Sequence, residues 1–190
     1  IVFFLFKEAG GLFNTPATEE GYVLAVNKSN DVGKLSPEKI MDIFDGNITN
    51  WKDISGMDQD SLIFRFSDLT NYYTEEELGD EFQYVPQKIS ELVAKEPGII
   101  AFFPKQYLLE KGFQGKVLPE EKITLGEFFG GTKWYPTSTP APIFGLIPLL
   151  LGTLLVSIGA IVLSLPFGIA VAIFMAEIAN KRPRDLLKPI

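Results

Sequence analysis

The 190-residue chain contains no cysteine and no histidine. Without cysteine there is no disulfide scaffold and no thiolate metal site. Without histidine, the side chain that most readily moves a proton near neutral pH is missing, as is the commonest metal ligand. No nucleophile–base pair with the usual partners can be assembled, so no catalytic residue is expected. A Gly-x-x-x-x-Gly-Lys-[Ser/Thr] phosphate loop is also lacking, and this chain does not read as a nucleotide hydrolase. A calcium loop needs oxygen ligands alternating over about twelve residues. The acidic run Glu75-Glu76-Glu77 with Asp80-Glu81 does not have that spacing and reads as a solvated face. No metal ligand set is expected.

Charge is missing from one long stretch. Ile143 to Ala176 carries no Asp, Glu, Lys or Arg over 34 positions. One charged side chain near a bilayer centre costs roughly 2.5–3.5 kcal/mol on insertion scales. About 20 apolar residues suffice to cross the hydrocarbon. The stretch therefore predicts a membrane-spanning helix with flanking portions, over residues 143–178. Gly152 and Gly159 are seven apart and share a helix face, as expected of a helix that packs against others. Pro148 and Pro166 are expected to start or kink helical segments.

The remaining charge is uneven. The chain carries −7 overall, yet Glu19 to Lys122 holds 20 acidic against 11 basic residues, a net of −9. Such a segment repels phosphate backbones, so no nucleic acid partner is expected. Lys181, Arg182, Arg184 and Lys188 follow the apolar run. Basic flanks favour the cytoplasmic side. This predicts a multi-pass cell-membrane protein with residues 8–142 outside and 179–190 cytoplasmic. Ile1 to Phe6 is apolar, and residues 1–7 are expected to be the end of a first transmembrane helix.

Between these ends the pattern is α/β. Gly21–Val26 reads as a strand. Ser36-Pro37 opens a helix, with a serine cap, proline at the first helical position, and Ile40, Ile43 and Phe44 on one face. Trp51 reads as a packing anchor. Ser61–Phe66 is a strand, Pro86–Lys95 a helix and Ile99–Phe103 a strand. A third short helix is expected at Lys105–Glu110, and a last strand within Gly112–Leu118. That order gives a sheet covered by helices over residues 15–120. Residues 122–135 are expected to form an amphipathic interface segment, with Trp134 and Tyr135 as membrane-interface aromatics, the alternative being a loop packed against the α/β domain. Arg65, an isolated cation in an apolar strand, precedes Ser67 and Thr70. An arginine at a strand end followed by hydroxyls can hold an oxyanion. The alternative is an ion pair between Arg65 and a carboxylate such as Asp68.

Two resemblances meet in this chain. The strings ITLGEFFGGTKWYPTS, LIPLLLGTLLVSIGAIVLSLPFGIAVAIFMAEIA and RPRDLLKPI, over residues 122–190, resemble the start of the phosphate ABC transporter permease of the PstC type. LFKE at Leu5–Glu8 resembles the end of that family's first transmembrane helix. The intervening LSPEKIMDIFDGNITNWKDI, SLIFRFSD and EPGIIAFFP resemble one lobe of a periplasmic phosphate-binding protein. The fold implied is an α/β extracytoplasmic lobe, periplasmic-binding-protein-like, plus the all-α transmembrane segment of an ABC importer permease. The family binds phosphate through Arg-x-x-x-Ser-Gly-Thr. Here Arg65 remains, but Leu69-Thr70-Asn71 replaces the triplet. The resemblance thus implies a lobe that docks or regulates rather than binds phosphate tightly. It further implies a second permease subunit, a cytoplasmic ATPase dimer that uses ATP, an extracytoplasmic phosphate-binding protein and membrane lipid as partners, with no cofactor in this chain. The other reading of the same features is a membrane-anchored receptor or sensor for an oxyanion or protein partner.

Overall fold

A computed structural model describes residues 18–119 and 122–178. Strand β1 is Tyr22–Val26. Helix α1, Pro37–Phe44, and the single turn α2, Lys52–Ser55, lead to β2, Leu62–Arg65. Two further short turns, α3 (Leu69–Tyr72) and α4 (Glu75–Leu78), precede α5, Val85–Lys95. Strands β3, Ile99–Pro104, and β4, Lys116–Val117, complete the sheet. Then come α6 (Leu125–Gly130), β5 (Trp134–Tyr135), β6 (Ile143–Phe144) and the long α7, Ile147–Ile173.

The sheet order is β2-β3-β1-β4. β2 runs parallel to β3, while β1 pairs antiparallel with both β3 and β4. A parallel pair needs a long crossover, and α3 to α5 supply it. β1 and β3 are buried on both faces, which explains their unbroken apolar runs. Val23, Ala25, Ile99, Ala101 and Phe103 face α5 through Val85, Ile89, Leu92 and Val93. Leu24, Val26, Ile100 and Phe102 face α1 through Ile40, Ile43 and Phe44. The result is a three-layer helix–sheet–helix lobe.

Local chemistry sets the boundaries. Ser36 caps α1 by accepting from the Lys39 N–H. Trp51 is fully buried, and its indole N–H donates to the Gly98 carbonyl at 2.7 Å. A Cβ on Gly98 would run into the Asp60 carbonyl, so the close approach of these chains needs glycine there. The helix expected at Lys105–Glu110 is a 3-10 turn, Lys105–Tyr107. The expected strand in Gly112–Leu118 shrinks to two residues, Lys116–Val117, and begins after a left-handed Gly112 with a φ of 87°.

Helix α7 continues through a π-turn at Phe174–Ile178. Pro148 sits in its first turn, where a missing N–H costs little, and Pro166 lies inside a helix that runs on unbroken. The Thr153, Ser157 and Ser164 hydroxyls donate to the helix's own Leu150, Thr153 and Ile161 carbonyls. No polar group of these three side chains is left for lipid to solvate.

The multi-pass placement expected from the sequence is corrected. Among the described residues, one helix, Ile147–Glu177, is long and apolar enough to cross a membrane. The next longest, α5, has 11 residues and spends its apolar face on the lobe core, whereas a crossing takes about 20. Residues 1–7, which that placement used as another span, and 179–190, its cytoplasmic end, lie outside the described residues.

Candidate functional site: the Arg65 cleft and the neck

β2 ends at Arg65, and the chain turns through the 3-10 segment Phe66–Asp68 into α3. Asp68 organises the turn. Its Oδ2 accepts from the Arg65 backbone N–H at 3.2 Å, and its Oδ1 accepts from the Ser67 hydroxyl at 3.4 Å. The guanidinium goes elsewhere. Arg65 Nη2 donates to the Phe44 carbonyl at 3.1 Å, and its Cζ lies 5.1 Å from the centre of the Phe44 ring. A cation on the last carbonyl of α1 meets the negative end of the helix dipole and the face of a ring. The carboxylate expected as a possible ion partner of Arg65 thus holds its backbone instead.

Arg65 and Ser67 share a cleft of about 320 Å³ with Glu19, Tyr22, Phe66, Phe102, Thr139 and Pro140. Tyr22 stacks on Phe102 with ring centres 4.7 Å apart. The cleft holds one cation, one carboxylate, hydroxyls and aromatic walls. An anion beside Arg65 also feels Glu19 in the same space. Thr70 is not in this cleft. It borders a second hollow with Glu75, Glu76, Asp80 and Glu81, a surface that repels anions. Leu69, in the altered triplet, is buried in the core.

Glu77 has a role beyond the solvated face. Its carboxylate accepts from the Thr74 N–H at 2.9 Å while its own N–H donates to Thr74 Oγ1. This reciprocal cap holds the Glu77 carboxyl below the usual carboxylate range, the Thr74 backbone bond being the main cause. Asn27 directly follows β1. Its amide donates to the Val93 and Ala94 carbonyls at 2.8 and 2.9 Å, and its oxygen accepts from Ser29. It closes the C-terminal end of α5, where carbonyls lack helical partners.

One wall of the cleft, Thr139-Pro140, belongs to the segment joining lobe to helix, here called the neck (residues 122–146). The neck is fastened at both ends. On the lobe side, Glu19 N–H donates to the Pro140 carbonyl at 3.0 Å, Ala141 is buried against the α1 face, and Lys133 Nζ lies 3.2 Å from Asp42 Oδ1. On the helix side, the Leu146 and Ile147 N–H groups donate to the Phe128 and Gly131 carbonyls at 2.8 and 3.3 Å. Two of the donors orphaned at the start of α7 are thereby satisfied. Gly131 and Gly145 touch backbone to backbone, a contact that a Cβ on either would break. Trp134 and Tyr135 form β5 and pair with Phe144 and Ile143 of β6. Thr124 and Glu127 make a second reciprocal cap at the start of α6. Gly152 and Gly159 lie along α7, and a Cβ at either would meet no atom within 4 Å, so the face they share is open.

The layered α/β lobe, followed by a long apolar helix with no buried residue, defines a binding-protein-like domain on a membrane-type helix. The chain belongs to the family described as a PBP superfamily domain, which matches residues 4–152 and so takes in the lobe, the neck and the first turn of α7. A curated relative is the probable ABC transporter permease protein YqgH of Bacillus subtilis (strain 168), 38% identical over 64 residues. That match covers 34% of this chain and 20% of the relative, so the chain spans about a fifth of that protein. Among solved structures, an ABC-type phosphate transport receptor from Vibrio cholerae is 22% identical, covering 58% of this chain and 50% of that one, with a TM-score of 0.40.

Proposed function

We propose that this chain is part of the permease of an ATP-driven ABC importer, with α7 in its membrane body and the α/β lobe as an extracytoplasmic docking or regulatory module. The observation that carries the reading is the neck, which is hydrogen-bonded through its backbone to the binding-protein-like lobe at Glu19 and to the start of an apolar helix that has no buried residue. The likeness to a probable ABC transporter permease supports the same assignment. The chain's own contribution is mechanical and not catalytic. ATP is consumed by partner subunits, a cytoplasmic ATPase dimer. A second permease subunit and an extracytoplasmic phosphate-binding protein complete the assembly.

Inorganic phosphate is the proposed cargo of the assembly, and the lobe is not its tight receptor. Three features support that division. The Arg65 guanidinium is already engaged by Phe44, Glu19 stands in the same cleft, and Leu69 occupies core space rather than offering a hydroxyl. A phosphate would gain one exposed charge-assisted contact where tight oxyanion sites converge several donors. The test is uptake of labelled phosphate by cells whose gene for this chain is disrupted. Uptake should fall and return on complementation. Undiminished uptake would contradict the assignment.

A further inference from the structure

Helix α6 exposes apolar side chains that the lobe does not use. Leu125 and Phe129 are four residues apart, hence on one helix face, and are 61% and 60% exposed. Ile123, just before them, is buried. Tyr135 is exposed beside them in sequence, and Trp134 is half-buried against the Phe144 ring, 5.6 Å away. The position of this face is fixed. The Phe128 and Gly131 carbonyls, at the end of α6, hold the first N–H groups of α7, so the face lies within a turn of where the apolar helix begins. Exposed leucines follow at once, at Leu149, Leu150 and Leu151.

We propose that the neck is a lipid-binding foot. Leu125 and Phe129 enter the boundary between headgroups and acyl chains, with Trp134 and Tyr135 at headgroup level. The occupant is the surface of the same bilayer that α7 crosses, because the apolar face continues directly into that helix. Burying two such side chains away from water favours the seated position. Attraction to anionic lipid does not drive it. The segment from Glu19 to Lys122 carries a net −9, and Lys133 is committed to Asp42. The foot therefore holds equally to zwitterionic lipid and at high salt, unlike a polybasic anchor. It gives the lobe a fixed height and tilt, since the neck is fastened to lobe and helix at once.

The proposal rests on α7 crossing the bilayer, and the experiment separates the two. The full chain is reconstituted into phosphatidylcholine vesicles, with or without bromine on the upper acyl chain. Flotation after an alkaline carbonate wash, which strips surface-bound chains, reads insertion of α7, and tryptophan quenching reads the foot. The chain has two tryptophans. Trp51 is sealed in the lobe core and serves as the unquenched reference. Bromolipid should quench the Trp134 emission, and W134F should abolish the effect. The double variant L125S/F129S should float normally while Trp134 quenching drops at least about twofold, since its apolar anchor is gone. A chain that floats while Trp134 stays unquenched would overturn the foot and point to a protein neighbour on this face. A chain that does not float would overturn the crossing helix, and the foot with it.

Discussion

Asn27 shows how much a single side chain can hold. Its amide bridges two carbonyls at the end of α5, and its oxygen is occupied by Ser29. Replacing it with alanine leaves buried carbonyls unpartnered, at about 1–3 kcal/mol. N27D should cost more than N27A, because a carboxylate would face those carbonyls. Urea unfolding followed through Trp51 emission measures both. Nothing local announces this role, since the partners lie 66 and 67 residues away. Glu77 is different, for Thr-x-x-Glu is a readable capping box, obscured here by its two acidic neighbours. Its carboxyl is depressed below 4.5 by the cap. Its contribution is therefore present above the unfolded-state value and is lost as pH falls through the lower folded-state value. The protection factor of amides 74–78, with the intrinsic base-catalysed exchange rate divided out, should fall on acidification below about pH 4.5 in the parent and be nearly flat with pH in E77Q. Equal pH response in both proteins would contradict the assignment.

Elements with strong local signals are the ones readable from the chain. α1 combined a serine cap, proline at its start and apolar residues three and four apart. β1 and β3 are unbroken apolar runs because both their faces are covered. The neck is harder to read. Its strands are two residues long, and its decisive bonds join α6 to the start of α7. Their one trace in the sequence is a pair of glycines, Gly131 and Gly145. These make the neck's sharpest prediction. A Cβ on Gly145 would meet Gly131 backbone and come within 2.6 Å of the Lys133 carbonyl, and neither can yield as a flexible side chain can. G145A should open the neck at a cost of roughly 1–3 kcal/mol, seen as faster amide exchange at Leu146 and Ile147. K133A removes only a partly exposed ion pair, worth about 0–1 kcal/mol, and should change that exchange little.

For the whole molecule, composition separated lobe from helix, because Ile143 to Ala176 carries no charge while the lobe interrupts its apolar runs with charged residues. The multi-pass topology went too far: among the described residues one helix is long enough to cross. The cleft was half legible. Arg65 and Ser67 do meet, but Thr70 faces a separate acidic hollow, and Glu19 and Thr139-Pro140 arrive from distant segments. Those additions give the cleft its character, a cation balanced by a carboxylate and walled by the neck that leads to α7. On the proposed reading, such a lobe passes mechanical contact to a membrane helix and is no tight oxyanion trap. The direct test is calorimetric titration of inorganic phosphate into the full chain in lipid nanodiscs. The account predicts binding no tighter than about 1 mM, some 4 kcal/mol, with R65A changing it little. A micromolar dissociation constant that R65A abolishes would contradict it.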